Sequence, residues 1–321
     1  MGKIVTVTLN PAVDKTIHLP RLCPGALNRV GRVRRDPGGK GINVARALKL
    51  WGENPLAIGW VGGYQGRWIL ERLEEWGIEH EFVETEGAET RTNLKVVEEA
   101  VDRVTDINEP GSPIDEEAIR RFLDVYDGAI RQAEIAVLSG SLPPGAPPDF
   151  YGTLIERAKR FGVKVYLDAD GPALQEGIRH SPYAVKPNLT ELEGLVGHAL
   201  EDEDERWSAA RSLLEQGIHL VALSMGAEGA WFFTEGKAIR ARAPRVSVSS
   251  TVGAGDTMVA ALTMGELKRW PLDEVIRFVV AAASATASKE GTQFAALEES
   301  KSLMDQVHLS YPIISCEGRG Q

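Results

Sequence analysis

Short apolar runs rich in β-branched residues recur along the chain: "KIVTVTL", "LAIGWVG", "AEIAVLSG", "VKVYLDA", "YAVKPN" and "HLVALSMG". Their length and flanking turn residues predict buried strands. Helical spacing fills the intervals at 43–51, 66–76, 115–132, 149–161, 172–179 and 205–216. Near-continuous apolar strands alternating with helices predict an α/β fold with a mainly parallel sheet covered on both faces.

Two regions break that rhythm. Residues 16–35 and 90–108 alternate polar and apolar positions, as in "RVGRVRR", "TRTNLKVVEE" and "RVTDINE". Strands with one wet face suit a small separate sheet projecting from the first half of the chain. After Thr251 the spacing turns helical, at 255–269, 272–289 and 296–307. With no repeat or long linker, the expectation is a single domain over 1–309, projecting strands at about 12–36 and 90–109, and a tail over 310–321, poorly ordered or docked on the surface.

Composition adds exclusions. The 321 residues are 43% hydrophobic and 26% charged, ordinary for a globular chain, and the net charge of −10 disfavours nucleic acid and anionic membranes as partners. The acidity is uneven: Lys15, Arg21, Arg29, Arg32, Arg34, Arg35, Lys40 and Arg46 face only Asp14 and Asp36 between Asn10 and Arg46. That cluster is either a solvated basic face or a local anion site suited to a phosphorylated small molecule. Cys23 and Cys316 make neither a disulfide framework nor a metal site, and no CxxC or HExxH occurs. The longest apolar run, "FVVAAASATA", is too short to cross a bilayer, so a soluble, cytoplasmic protein is expected.

The glycines of "STVGAGDTMVAAL" let the amides of Gly253, Ala254 and Gly255 converge on an anion at a helix N-terminus. Asp256 is then either a first-turn helix acid or, if a phosphoryl group occupies the amides, a base for the hydroxyl attacking it. "DPGGKGINVARAL" offers a second set of amides at Gly38 and Gly39, a cation at Lys40 and a first-turn carboxamide at Asn43; close packing of a glycine-rich loop is the alternative. "TLNPAVD" sets Asp14 just past a strand end, and a carboxylate there suits sugar diols. Arg91 of "TRTN" could fork onto a phosphate, and Ser139 of "LSGSLPPG" marks another strand end. In "VKPNLTELE", Lys186 is followed by Asn188 and Glu191, three apart at a helix start. The pair reads either as a cap or as two oxygens for hydrated magnesium. Ser224, Gly226 and Gly229 of "SMGAEGA" read as a strand and tight turn.

Together these segments resemble the ribokinase-like (PfkB-type) sugar kinases. The likeness runs from about Thr6 to Gly291 and is greatest to the branch holding 1-phosphofructokinase, tagatose-6-phosphate kinase and the minor 6-phosphofructokinase. "TRTNLKV" with "VTDINEPG" looks most like 1-phosphofructokinase. The resemblance implies a three-layer α/β/α sandwich with a β-sheet lid, ATP and Mg2+, and phosphoryl transfer to a sugar phosphate, foremost fructose 1-phosphate. It implies Asp256 as base, with Gly253, Ala254 and Gly255 as anion hole. Asp14, Gly38, Gly39, Lys40, Asn43, Arg91 and Ser139 would serve the sugar phosphate. Lys186, Asn188, Ser224, Gly226, Ala227, Glu228, Gly229 and Ser284 would serve the nucleotide, and Asn188 with Glu191 the magnesium. A homodimer through the lid is a further expectation, since a second lid could cover the exposed strand edges. A tagatose-6-phosphate kinase, a 6-phosphofructokinase, a neutral-sugar kinase and an inactive sensor remain the rival readings. In "YLDADGPAL", Ala169 and Asp170 stand where that family usually shows small hydroxyl residues.

Overall fold

The computed structural model describes residues 4–101 and 103–312. Its strands are β1 (Ile4–Thr8), β2 (Ala12–Leu19), β3 (Arg32–Gly38), β4 (Leu56–Val61), β5 (Glu79–Glu84), β6 (Arg91–Glu98), β7 (Arg103–Asn108), β8 (Ile135–Ser139), β9 (Lys164–Asp168), β10 (Ala184–Val185), β11 (Leu220–Ser224), β12 (Ala230–Thr234), β13 (Lys237–Arg242) and β14 (His308–Ser310). The helices are α1 (Lys40–Leu50), α2 (Gly63–Glu75), α3 (Glu116–Ile130), α4 (Phe150–Lys159), α5 (Gly171–Arg179), α6 (Leu189–Val196), α7 (Glu203–Leu214), α8 (Ala254–Leu267), α9 (Leu272–Ala287) and α10 (Leu297–Ser302).

A ten-stranded sheet has the order β14-β13-β12-β11-β10-β9-β8-β1-β4-β5. The seven strands from β11 to β5 run parallel, and β12, β13 and β14 add on antiparallel at one edge. Successive side chains of a strand point to opposite faces, and β1 shows the consequence. Val5 and Val7 join the apolar layer with α3, α4 and α5, while Ile4 joins the layer with α1, α8 and α9. The chain leaves β1 for β4 and β5 on one side, then returns to β8 on the other. The carboxyl ends of such a switch point form a crevice where open α/β sheets bind ligands.

The second sheet has the order β3-β2-β6-β7 and projects as a lid. Its cleft-side register aligns Asp14 with Asp36 and with Asn93. Strand β3 begins at Arg32, later than the "RVGRVRR" pattern suggests, because 20–31 form a loop in which Asn28 bonds the backbone of Cys23 and Ala26.

Several expected boundaries change. "YAVKPN" keeps only Ala184–Val185 as strand, since Pro187 supplies no N–H for a ladder. The helix expected over 296–307 ends at Ser302; a short 3-10 turn, Met304–Gln306, and the buried Val307 lead into β14. Ser310 therefore closes an edge strand instead of opening a tail, and the Tyr311 hydroxyl donates to Asp273 Oδ2 at 2.5 Å. Residues 313–321, with Cys316, lie outside the described residues. No helix among the described residues is long and apolar enough to cross a membrane.

Candidate active site

The carboxyl ends of three central strands place polar residues at one level: Thr8 aligns with Ser139, and Ser139 with Asp168. The period of two puts all three on the α1/α8 face, continuing Ile4, Val137 and Tyr166. All are buried, and Thr8 Oγ1, Ser139 Oγ and Asp168 Oδ2 have no hydrogen-bond partner among the described residues.

Two helix N-termini stand over this row. Helix α1 starts at Gly39, whose φ of 119° favours glycine, and its close approach to β1 explains the next glycine. A Cβ on Gly41 would lie 2.4 Å from the Val7 carbonyl oxygen. A Cβ on Gly38 would fall 2.3 Å from Asp14 Oδ2, so both glycines of the loop make room for neighbours. Helix α8 starts at Gly253, also left-handed with φ 79°, and the amides of Gly253, Gly255 and Asp256 find no acceptor among the described residues. These are the donors an anion would use.

Asp256 is 7% exposed and accepts a hydrogen bond from Asn43 Nδ2 at 2.8 Å. Burial pushes its carboxyl up to about 6, with a further push from Asp168, against the pull of Lys40, Asn43 and Lys186. Lys40 Nζ donates to Asp168 Oδ1 at 3.0 Å, and Lys186 Nζ lies 3.5 Å from the same oxygen. Burial lowers the Lys40 ammonium, but Asp168, Asp256 and Glu191 more than offset it, so its pKa rises. A Cβ on Gly255 would sit 3.5 Å from Lys186 Nζ, which places that ammonium beside the α8 cap. Acids and lysines thus surround the amides that have no acceptor among the described residues.

On the lid, Asn93 Nδ2 donates to Asp14 Oδ1 at 3.1 Å. Burial raises the Asp14 carboxyl, against Asn93, Lys95 and Arg91. Arg91 donates Nε and Nη2 to the Asn10 carbonyl and Nη1 to the Glu109 carbonyl, fixing its guanidinium at the lid base. Part of the basic cluster is internally matched. Arg34 forks onto Asp36 at 2.7 and 2.9 Å, and Arg46 stacks on Trp76 and donates to the Thr292 carbonyl. Arg34 Nη1 also reaches the Glu290 carbonyl at 3.5 Å, tying the lid to the loop after α9.

A sequence model of the pfkB family carbohydrate kinases matches residues 7–299. The chain belongs to that family. The 1-phosphofructokinase of Xanthomonas campestris pv. campestris is 45% identical over 264 residues, 80% of this chain and 82% of that protein. The 1-phosphofructokinase of Bacillus subtilis is 38% identical over 287 residues, 89% of this chain and 93% of its own. The crystal structure of phosphofructokinase-2 from Escherichia coli in complex with potassium superposes with a TM-score of 0.88 at 32% identity, covering 95% of this chain and 99% of that one. As a pfkB family kinase, the protein is a phosphotransferase with an alcohol group as acceptor.

The kinase fold brings many of the expected residues together. Asn43 bonds Asp256, Lys40 and Lys186 meet on Asp168 beside them, and Asp14 packs against Gly38. Asn188 and Glu191 form a reciprocal capping box on α6: the Glu191 amide donates to Asn188 Oδ1 at 2.8 Å, and the Asn188 amide to Glu191 Oε2 at 2.9 Å. Asn188 also bridges to Ser224, whose hydroxyl is 3.4 Å from the Pro187 carbonyl. Gly226, Ala227 and Glu228 make a 3-10 turn, and Gly229 has φ 104°, its Cα so close to Ala241 that a Cβ would be 2.1 Å from that carbonyl oxygen. The Ser284 hydroxyl donates to Val280 on its own helix, and no hydrogen bond joins it to another residue expected at the site. Asp168 was not among the residues expected there. Its only sequence signal was its place at the end of a buried strand.

Proposed function

We propose that this pfkB kinase transfers the γ-phosphoryl group of ATP to fructose 1-phosphate, giving fructose 1,6-bisphosphate and ADP. The observation that carries the reading is Asp256: a buried carboxylate raised to about 6, held by Asn43 and set beside amides without acceptors. A base poised near the working pH takes the proton of the free sugar hydroxyl as its oxygen attacks phosphorus. The bond from the γ-phosphorus to the bridging oxygen breaks, ADP leaves, and the proton rests on Asp256. The acceptor-free amides of Gly253 and Gly255 stabilise charge on the group in transfer, and the Ala254 amide, which donates to the Thr251 carbonyl at 3.4 Å, would have to leave that carbonyl to join them. The names of the 1-phosphofructokinase relatives support the choice of sugar phosphate.

Asp14, Gly38, Gly39, Lys40 and Asn43 bind the sugar in this reading, Ser139 lies fully buried beneath its cleft, and Arg91 takes its phosphate with the guanidinium edge the carbonyls leave free. Lys186, Asn188, Ser224, Ser284 and the Gly226–Gly229 turn serve the nucleotide. Asn188 and Glu191 fit Mg2+ through its waters: both offer hard oxygens, Glu191 Oε1 accepts no hydrogen bond among the described residues, and Glu191 acts electrostatically on Lys40. The ion, when bound, neutralises phosphate charge. Among the described residues no three His, Cys, Asp or Glu groups form a cage that would replace those waters.

The outer lid strands β3 and β7 carry Val33, Val104 and Ile107 about half exposed. A second lid would cover them, and sedimentation of a dimer that Val104→Asp splits would support that assembly. For the activity, ADP release is measured with fructose 1-phosphate, fructose 6-phosphate, tagatose 6-phosphate and ribose. The reading predicts the highest kcat/KM with fructose 1-phosphate; preference for any other acceptor overturns it.

A further inference from the structure

Asp168 is 1% exposed, yet in the reading above it lies between a lysine assigned to the sugar and a lysine assigned to the nucleotide. Lys40 opens α1 on the sugar side, and Lys186 follows β10 on the nucleotide side. Both ammonium groups converge on Oδ1, at 3.0 and 3.5 Å. A lysine side chain has a long flexible stem and about 2 kcal/mol of rotamer entropy, so a free ammonium would be ordered only as substrates arrive. Here that ordering is built into the protein, and each ammonium keeps N–H donors to spare.

We propose that Asp168 is a positioning residue for phosphoryl transfer, holding Lys40 and Lys186 on a single oxygen so that both face the group in transfer. The proposal rests on the kinase reading above. A fixed anion acts with opposite sign on the two stages of the reaction. It repels incoming phosphates, which opposes ground-state binding, while the ammonium groups it orders stabilise charge that develops only during transfer. Loss of the carboxylate charge therefore lowers kcat without weakening substrate binding. A merely structural role would raise KM and lower kcat together.

Asp256 supplies a second readout. The charged and polar groups facing it are Lys40 and Asn43 from α1, Asp168 from β9 and Lys186 beyond β10. Removing the Asp168 charge moves the acid limb of kcat/KM to lower pH.

The test compares wild type, Asp168→Asn, Lys40→Met and the double variant by steady-state kinetics, using whichever sugar phosphate the wild type turns over best, with thermal unfolding in parallel. For Asp168→Asn, kcat is expected to fall roughly a hundredfold with KM for both substrates unchanged or lower. In the Lys40→Met background the same change costs several-fold less, because part of its work is already gone. Wild-type kcat in Asp168→Asn, a KM that rises in step with the loss of kcat, or full additivity of the two changes overturns the proposal. If a sugar phosphate other than fructose 1-phosphate proves the acceptor, the substrate reading fails while this comparison stands. A measurement free of variants covers the case in which Asp168→Asn does not fold. In protein labelled with 15N-lysine, the Lys40 ammonium should exchange slowly enough to be seen at neutral pH; a fast-exchanging, averaged signal overturns the assignment.

Discussion

Asn43 donates its carboxamide to Asp256 across 2.8 Å and 213 residues of sequence, joining the first turns of α1 and α8. The bond favours the charged form of a carboxyl that burial would otherwise keep neutral. In the proposed reaction one helix would carry the base, and the other would hold it charged.

Asp256→Asn preserves size and removes the base. Its kcat should fall by roughly two to four decades while ATP affinity, measured by calorimetry, stays near that of the wild type. Near-normal turnover would remove Asp256 from the mechanism.

The same substitution should stabilise the protein. The folded carboxyl ionises near 6, above its ordinary value of 3.8, so stability falls as pH rises between those values and stays lower above them. At pH 7 Asp256→Asn should gain on the order of 1–3 kcal/mol, seen as a higher Tm, and the gain should disappear below pH 4.

Activity should follow the opposite sign. The base must be ionised, so kcat/KM falls as pH drops through about 6. Asn43→Ala removes a hydrogen bond to the charged form, and its acid limb should move to higher pH. An unmoved limb would show that another group controls it.

Arg91 is fixed by the carbonyls of Asn10 and Glu109. Arg91→Ala should raise KM for the sugar phosphate by roughly ten- to a hundredfold, with KM for ATP little changed. Arg91→Lys keeps the charge without the fork and should recover only part of that loss.

Gly41→Ala tests the seating of α1. The added Cβ would meet backbone at 2.4 Å, which α1 can relieve only by lifting from β1. A loss of roughly 1–3 kcal/mol in denaturant unfolding is expected, with reduced kcat because Lys40 and Asn43 ride on the same helix.

The parallel core was legible because strands buried on both faces leave continuous apolar runs, as in Ile4–Thr8 and Ile135–Ser139. The glycine turns before α1 and α8 were legible because left-handed φ and close approach restrict the residue type at Gly39, Gly41 and Gly253. Strand β5 was not, since its "EHEFVE" is an edge strand with exposed acids and no apolar run. The β13–β14 pairing was hidden as well: three residues of strand follow a helical pattern that a short 3-10 turn cuts off. Asp168 escaped for a different reason. It meets Lys40 across 128 residues, and an ion pair of that span imposes no local periodicity. Asn188 and Glu191 were found by their spacing, and the cap they form is the reciprocal bond that spacing permits.

The Arg34 bond to the Glu290 carbonyl has a mechanical consequence. Glu290 belongs to the loop that carries Phe294, whose ring lies against the α8 cap, 3.1 Å from where a Cβ on Gly253 would sit. Lid strand, loop, ring and cap thus form one continuous chain of contacts. A lid that swings open must either part Arg34 from that carbonyl or drag the loop along, and the loop bears on the glycine that caps α8. In the proposed reaction, the cover over the acceptor and the cradle for the donor would therefore be members of one linkage.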